Sequence, residues 1–448
     1  MLGNDETCEF KKPINKIINQ ITKFRHMKKN LIIVFAFVLP FISIAQNENK
    51  FGITWHGFVK ADYFFDSRQT VSVREGHFLL YPTNEKLDVN GEDINAKANL
   101  NMLAIQTRLT GKITGPDAFG AKTSGLIEGA FFGHSNGDVN GFRLRHAFVK
   151  LNWDKSELLF GQTWHPMFVT DCYPGVISFN TGVPFQPFSR NPQLRFSYKM
   201  GKLKLLVAAQ SQRDFASPGG STSLRNSGIP DFQLQLHFKN DKIATGIGGG
   251  YKILTPRLVT DSNIVATGTV NSISATAWFK YKAKKFTVKA QGTYGENMYD
   301  VLMLGGYAIA DTSTYAADYL AKDIREYTPM DVLGVWAEFH TNGKKLQGGI
   351  FGGYTKNFGS KNNILRWTDP TSYSARGANI AYVYRVAPRI VFFSGKTKIA
   401  TEIEYTVAGY GSTVNSLGDI QDHTDDYPNA EIKEVANFRL LFSVIYAF

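Results

Sequence analysis

The stretch Asn437–Phe448, NFRLLFSVIYAF, decides the fold. Phe438, Leu440, Phe442, Val444, Tyr446 and Phe448 form one row, and Asn437, Arg439, Leu441 and Ser443 begin the other. A period of two is that of a β-strand, whose successive side chains point to opposite faces. The row ends on an aromatic residue at the chain terminus, where a ring favours the headgroup level of a bilayer. The expectation is a closing strand of a membrane-spanning barrel.

The same two-faced pattern recurs upstream. Asp231–Lys239 sets Phe232, Leu234, Leu236 and Phe238 against Asp231, Gln233, Gln235, His237 and Lys239. Gln193–Met200 and Lys398–Val407 read likewise, and about sixteen such segments lie between residues 53 and 448. Short links such as Asn240-Asp241, Asn342-Gly343 and Ser394-Gly395 carry tight-turn residues. They alternate with long links near 67–96, 165–192, 213–230, 297–330, 357–375 and 410–432. Soluble sandwiches have no reason to keep that alternation, whereas outer-membrane barrels have short periplasmic turns and long external loops. The fold class is therefore all-β, a transmembrane antiparallel β-barrel. A Lys or Arg on the lipid face costs about 2–4 kcal/mol at the midplane, so the charged face must line the lumen.

Export fits this reading. Met27-Lys28-Lys29, an apolar run to Ile44 and Ser43-Ile44-Ala45 have the order of a signal peptide, so residues 27–45 are expected to be removed. Residues 1–26 read as an upstream extension or a misassigned start, leaving 46–448 as the barrel with no separate domain. The expected location is the outer membrane of a Gram-negative bacterium, in contact with its lipid, with both termini periplasmic. The segment up to Gln46 holds seven basic and three acidic residues, so the net charge of +12 becomes +8. The cations are scattered at strand spacing, without the clustering that nucleic-acid binding needs. The two cysteines, Cys8 and Cys172, make no disulfide framework. No cofactor or metal site is read: Asp422, His423, Asp425 and Asp426 look like a solvated loop tip, and Gly246–Gly250 lacks the helix and Lys of a phosphate loop.

Sixteen strands leave an aqueous channel unless something narrows it. The 165–192 connection carries five prolines and five aromatic residues, too apolar for water, and is expected to fold inward as a constriction loop opened by Trp164. Lumen parity places Arg108, Lys112, Arg143, Arg145, Arg195, Lys199, Lys202 and Lys204 inside. Rings of such cations favour anions, and Arg143 and Arg145 stand about 7 Å apart on one face, a fork suited to a carboxylate or phosphate. The alternative is that Glu128, Glu338, Glu402 or Glu404 absorb these cations in wall ion pairs. The same parity puts His146 and Lys150 on the outer face, where His146 is expected to be covered by a neighbouring subunit, with Gly125 and Gly129 permitting close approach.

The runs Gln106–Leu109, Ile127–Gly133, Arg143–Phe148 and Leu159–Trp164 resemble the DcaP-type trimeric porins, over about residues 98–200. That resemblance implies a sixteen-stranded homotrimer passing small organic acids, with Arg108, Arg143, Arg145 and Arg195 as the basic wall of the constriction. A departure is that Gln46–Lys50 leads straight into the first strand, without the coiled-coil segment common in that family. Two rival classes remain: an outer-membrane enzyme of the lipase or protease type, and a binding or adhesion protein acting through its long loops. Nine scattered histidines offer no Ser/His pairing to the first.

Overall fold

The computed structural model describes residues 51–212, 220–311 and 322–448. The expected signal peptide, the segment upstream of it and the lead to Lys50 lie outside these residues. Sixteen antiparallel strands form the wall. They are β1 (Gly52–Asp66), β2 (Asn99–Leu103 and Arg108–Thr114), β3 (Lys122–Ala130), β4 (Arg143–Asn152), β5 (Ser156–Trp164) and β6 (Arg190–Met200). Then follow β7 (Leu203–Gln210), β8 (Asp231–Lys239), β9 (Ile243–Leu254), β10 (Val270–Lys282) and β11 (Phe286–Glu296). The last are β12 (Tyr327–Thr341), β13 (Leu346–Ser360), β14 (Ile380–Ser394), β15 (Thr397–Gly411) and β16 (Ile432–Ala447). Each strand pairs with its sequence neighbours, and β1 pairs with β16 from Phe58↔Ala447 to Asp66↔Arg439, which closes the barrel.

The alternation in β16 is realised residue by residue. Phe438, Leu440, Phe442, Tyr446 and Phe448 are exposed on the outside, while Asn437, Arg439, Leu441 and Ser443 are shut inside. Exposed apolar rows on every strand are what a lipid-facing wall requires. Seven short turns (115–121, 153–155, 201–202, 240–242, 283–285, 342–345 and 395–396) lie at one end. Phe448 sits at that end too, its N–H donating to the Gly57 carbonyl. Eight longer connections lie at the other end, and two of them, 131–142 and 255–269, join the six read from the sequence.

The interior is not empty. One apolar cluster joins Phe78, Leu80 and Tyr81 of the first long loop to Phe179, Val183, Phe185 and Phe188 of the 165–189 loop. Met298–Leu304 of a third loop and wall residues such as Trp336, Phe351 and Tyr410 complete it. Strand β6 begins at Arg190, three residues earlier than the polarity pattern indicated, because Pro192 lies within the pairing opposite Gln162.

Candidate functional site: a cationic chamber under the constriction loop

The 165–189 loop leaves the wall at Trp164 and crosses to its far side. Trp164 stacks on Phe168 at 4.0 Å and meets Phe188 edge-on at 5.1 Å. Across the lumen, three buried carboxylates hold the loop by its polar groups. Glu338 on β12 accepts the Gly175 N–H at 2.5 Å. Glu402 on β15 accepts the N–H groups of Ile177 and Ser178 at 2.7 and 3.0 Å, and Glu404 accepts the Asn180 amide at 2.7 Å. Arg389 and Lys289 pair with Glu338, His340 Nδ1 lies 2.9 Å from it, and Arg385 lies 3.5 Å from Glu404.

Two glycines permit this docking. A Cβ on Gly175 would stand 2.8 Å from both Arg389 and Glu338, so only the bare backbone reaches the wall. On β13, the ring of Phe185 fills the place a Cβ on Gly353 would take. Cys172 is buried within the loop, its thiol 3.4 Å from the Phe279 carbonyl.

Beneath the loop is a chamber of about 590 Å³. Its charged lining is Lys60, Arg108, Arg145 and Lys398, and its aromatic lining includes Phe58, Trp164, Tyr173 and Phe393. No carboxylate side chain is among the described lining residues. The ends of β14, β15 and β16 nearest the short turns contribute Val391, Phe393, Lys398 and Ile445, so the chamber belongs to that half of the barrel.

Of the residues singled out from sequence, Arg108, Arg145 and Trp164 meet here. Glu128 stands behind the first two: Arg145 Nε donates to it at 2.8 Å, Thr110 at 2.9 Å, and Arg108 lies 3.4 Å away. The wall ion pair considered as an alternative is thus present for both arginines, and each still reaches the chamber. Arg143 is buried higher on β4 and does not line the chamber, so the two-arginine fork is not assembled there. Arg195 is turned to the Trp164 carbonyl (2.6 Å) and Gln193 (2.8 Å), bracing the root of the loop. Lys199 is exposed near the 201–202 turn, away from the constriction.

His146 corrects the reading of β4. The register between β3 and β4 shifts at Glu128/Gly129, so Glu128 faces His146 and Gly129 faces Leu144. This bulge inserts one extra residue and reverses the alternation beyond it. His146 therefore points inward beside Arg145, 3.2 Å from Thr163 Oγ1 and edge-on to Trp164. Lys150 follows the new phase and pairs with Glu157 at 2.9 Å, while Val149 faces outward. Gly129 does lie on the outer face, but the chain's own Phe142 ring covers it. At Gly125 a Cβ would come within 3.1 Å of the Phe148 carbonyl.

Sequence reading missed Lys60, which donates to the Ile177 carbonyl at 2.6 Å and to Gln106 at 2.5 Å. The signal was available: Val59, Tyr63 and Phe65 mark the outer row of β1 and leave Lys60 and Asp62 inside. Arg190 was also missed; its guanidinium lies 5.0 Å over the Trp164 ring.

A closed sixteen-stranded barrel with an inward-folded loop and a basic lumen is the porin architecture. No family model matches the chain, and no curated protein matches it. Among solved structures it is similar to the outer membrane channel DcaP of Acinetobacter baumannii, at TM-score 0.63 and 14% identity, over 90% of this chain and 99% of that one. It is also similar to OmpT, an outer membrane protein of Vibrio cholerae, at TM-score 0.51 and 9% identity, over 90% and 99%. A trimer form of that protein matches at TM-score 0.50 and 10% identity, over 89% and 99%. These likenesses establish a DcaP-type porin fold.

Proposed function

We propose that the chain is a porin of the Gram-negative outer membrane, passing small anionic solutes such as organic acids. The observation that carries this reading is the chamber lining, with four cationic side chains and no acidic one among the described residues. A narrow lumen with low-dielectric walls focuses such a field and raises the local anion concentration. Glu128 neutralises part of it, so the selectivity is mild.

The rest of the assignment belongs to the same reading. Residues 27–45 direct export and are removed, the short turns and both termini face the periplasm, and the long loops face outward. The working form is a homotrimer embedded in outer-membrane lipid, as the trimer form of the Vibrio cholerae protein supports. The interface lies elsewhere than at His146.

Reversal potential in a planar bilayer under a salt gradient tests the reading. Anion preference is expected, and block by mono- or dicarboxylates should exceed block by neutral sugars. Cation preference would overturn it.

A further inference from the structure

The apolar cluster in the outer half of the barrel has a contributor besides the constriction loop. Residues Thr70–Val73 and Phe78–Pro82 of the first long loop pair as a hairpin. Its second strand reads Phe-Leu-Leu-Tyr-Pro and is buried throughout. A loop-tip hairpin in water would not hide four large apolar side chains, so this one is built to sit inside.

Its contacts show what it sits against. The Phe78 ring lies 5.4 Å from Phe179 and 5.5 Å from Phe188, both on the constriction loop, and 6.4 Å from Phe132 at the top of β3. His77 stacks on Phe179 at 5.2 Å and bonds to Asp62 of β1 at 2.6 Å. The hairpin backbone is tied to the neighbouring wall strands as well. Arg385 donates to the Leu80 carbonyl at 2.8 Å, Arg439 to that of Gly76 at 2.7 Å, and Tyr410 to that of Pro82 at 2.7 Å. These donors come from the consecutive strands β14, β15 and β16, so one sector of the wall holds the hairpin against the constriction loop.

The remaining sector at this level is closed too. Met298 and Asp300–Leu304 of the third loop are buried, and the Phe188 N–H donates to the Val301 carbonyl. On β6 to β8 the inward side chains Asn191, Gln193, Gln210, Asp231 and Gln233 are all 6% exposed or less. Polar groups lining a water-filled passage would be wet. The chamber is thus roofed by packed side chains on its long-loop side.

We propose that the Thr70–Pro82 hairpin is a second selectivity element, a stopper that closes the outer half of the channel and must withdraw for solute to pass. Apolar constrictions gate by dewetting, and this one packs Phe78 and Leu80 with Phe179 and Phe188 in one buried cluster inside the barrel. The wall tethers are the His77–Asp62 contact and three hydrogen bonds to carbonyl oxygens, none of them part of the hairpin's own pairing, so the hairpin can leave as a unit while that pairing stays intact. Traffic is then set by the hairpin first and by the cationic chamber second. The inference rests on the channel reading above and adds that the resting channel is shut.

The test compares wild type with a full-length barrel in which residues 71–81 are replaced by a short Gly-Ser link. Both are reconstituted in planar bilayers, with heat-modifiable migration confirming the folded barrel. Leu80→Ser, which weakens the packing and leaves every tether, serves as the milder variant. Wild type should be closed for most of the record, and the shortened variant should conduct about tenfold more on average, as expected when a dewetted layer becomes water-filled. Leu80→Ser should flicker between the two levels. A wild-type conductance equal to that of the shortened variant would overturn the stopper and leave the channel reading intact. Folded barrels that conduct in neither form would defeat both.

Discussion

The backbone N–H of Ile177 donates to the Glu402 carboxylate at 2.7 Å, joining the tip of a loop rooted on β5 to the wall strand β15 across the lumen. The same carboxylate takes the Ser178 N–H, and both partners are hidden from solvent on the wall side. The constriction is therefore fixed at both ends, and its width depends on wall carboxylates as well as on its root.

Replacing Glu402 with Ala removes the acceptor shared by two amides. Leaving a buried donor unpaired costs about 1–3 kcal/mol, so the tip should detach intermittently while the barrel stays closed. Cys172 supplies the readout, since it lies in the loop and is fully buried. Maleimide labelling of Cys172 should be slow in wild type and markedly faster in Glu402→Ala, with noisier channel openings. Equal labelling rates would show that Glu402 does not anchor the loop.

Glu128 is predicted to limit selectivity. It lies within ion-pair distance of Arg108 and Arg145, both of which line the chamber. Glu128→Gln keeps the shape and removes one negative charge. A unit charge about 8 Å from a permeating ion in a water-like medium is worth about 0.5 kcal/mol, gained by an anion and lost by a cation when the charge is removed, so the anion-to-cation permeability ratio should rise about fivefold. The same change leaves Arg145 without its counter-charge. Breaking a buried pair from one side costs about 3–5 kcal/mol, so the variant should unfold at lower temperature. A reversal potential that does not move would place Glu128 outside the conduction path.

Strand parity made the wall legible wherever pairing is regular. In β16 the exposed and buried positions from Asn437 to Ser443 follow from the alternation, and Arg108 and Arg145 fall inside as the rule requires. The rule failed at His146 because a bulge opposite Glu128 carries no glycine or proline to announce it. A one-residue slip reverses every side chain beyond it, so the error passed on to Lys150. Loops are harder still, since periodicity says nothing about where a connection folds. The apolar argument that sent 165–192 inward applies equally to Phe78-Leu79-Leu80-Tyr81, which the sequence reading left inside the 67–96 link.

His146 now carries a different prediction from the one its apparent outer-face position invited. It touches Thr163, Trp164 and Glu128, all in the wall of its own barrel. His146→Ala should leave the SDS-resistant oligomer unchanged. It should also lower the heat-modification temperature, because the lost hydrogen bond and the small void cost about 1–3 kcal/mol. An oligomer that dissociates while the monomeric barrel keeps its thermal transition would return His146 to a subunit interface.

Acid should act on the external loops through Asp323. Its carboxylate accepts Arg257 Nη1 at 2.5 Å, Arg325 Nε at 2.9 Å and the Asp261 N–H at 3.0 Å. Burial pushes its pKa upward, but the bonds from Arg257, Asp261 and Arg325 outweigh that and hold the carboxyl well below the usual carboxylate range. A group whose folded pKa is depressed contributes stability above its unfolded value, about 3.9 for Asp, and loses it as pH falls through the folded value. The packing of 255–269 against Asp323 should therefore be constant from neutral pH to about pH 4 and loosen only in stronger acid. Deuterium exchange at the Asp261 amide follows this directly. Asp323→Asn should exchange fast already at neutral pH, with no further acid step, because the carboxylate that titrates is gone. An acid step that survives in Asp323→Asn would assign the titration to another group.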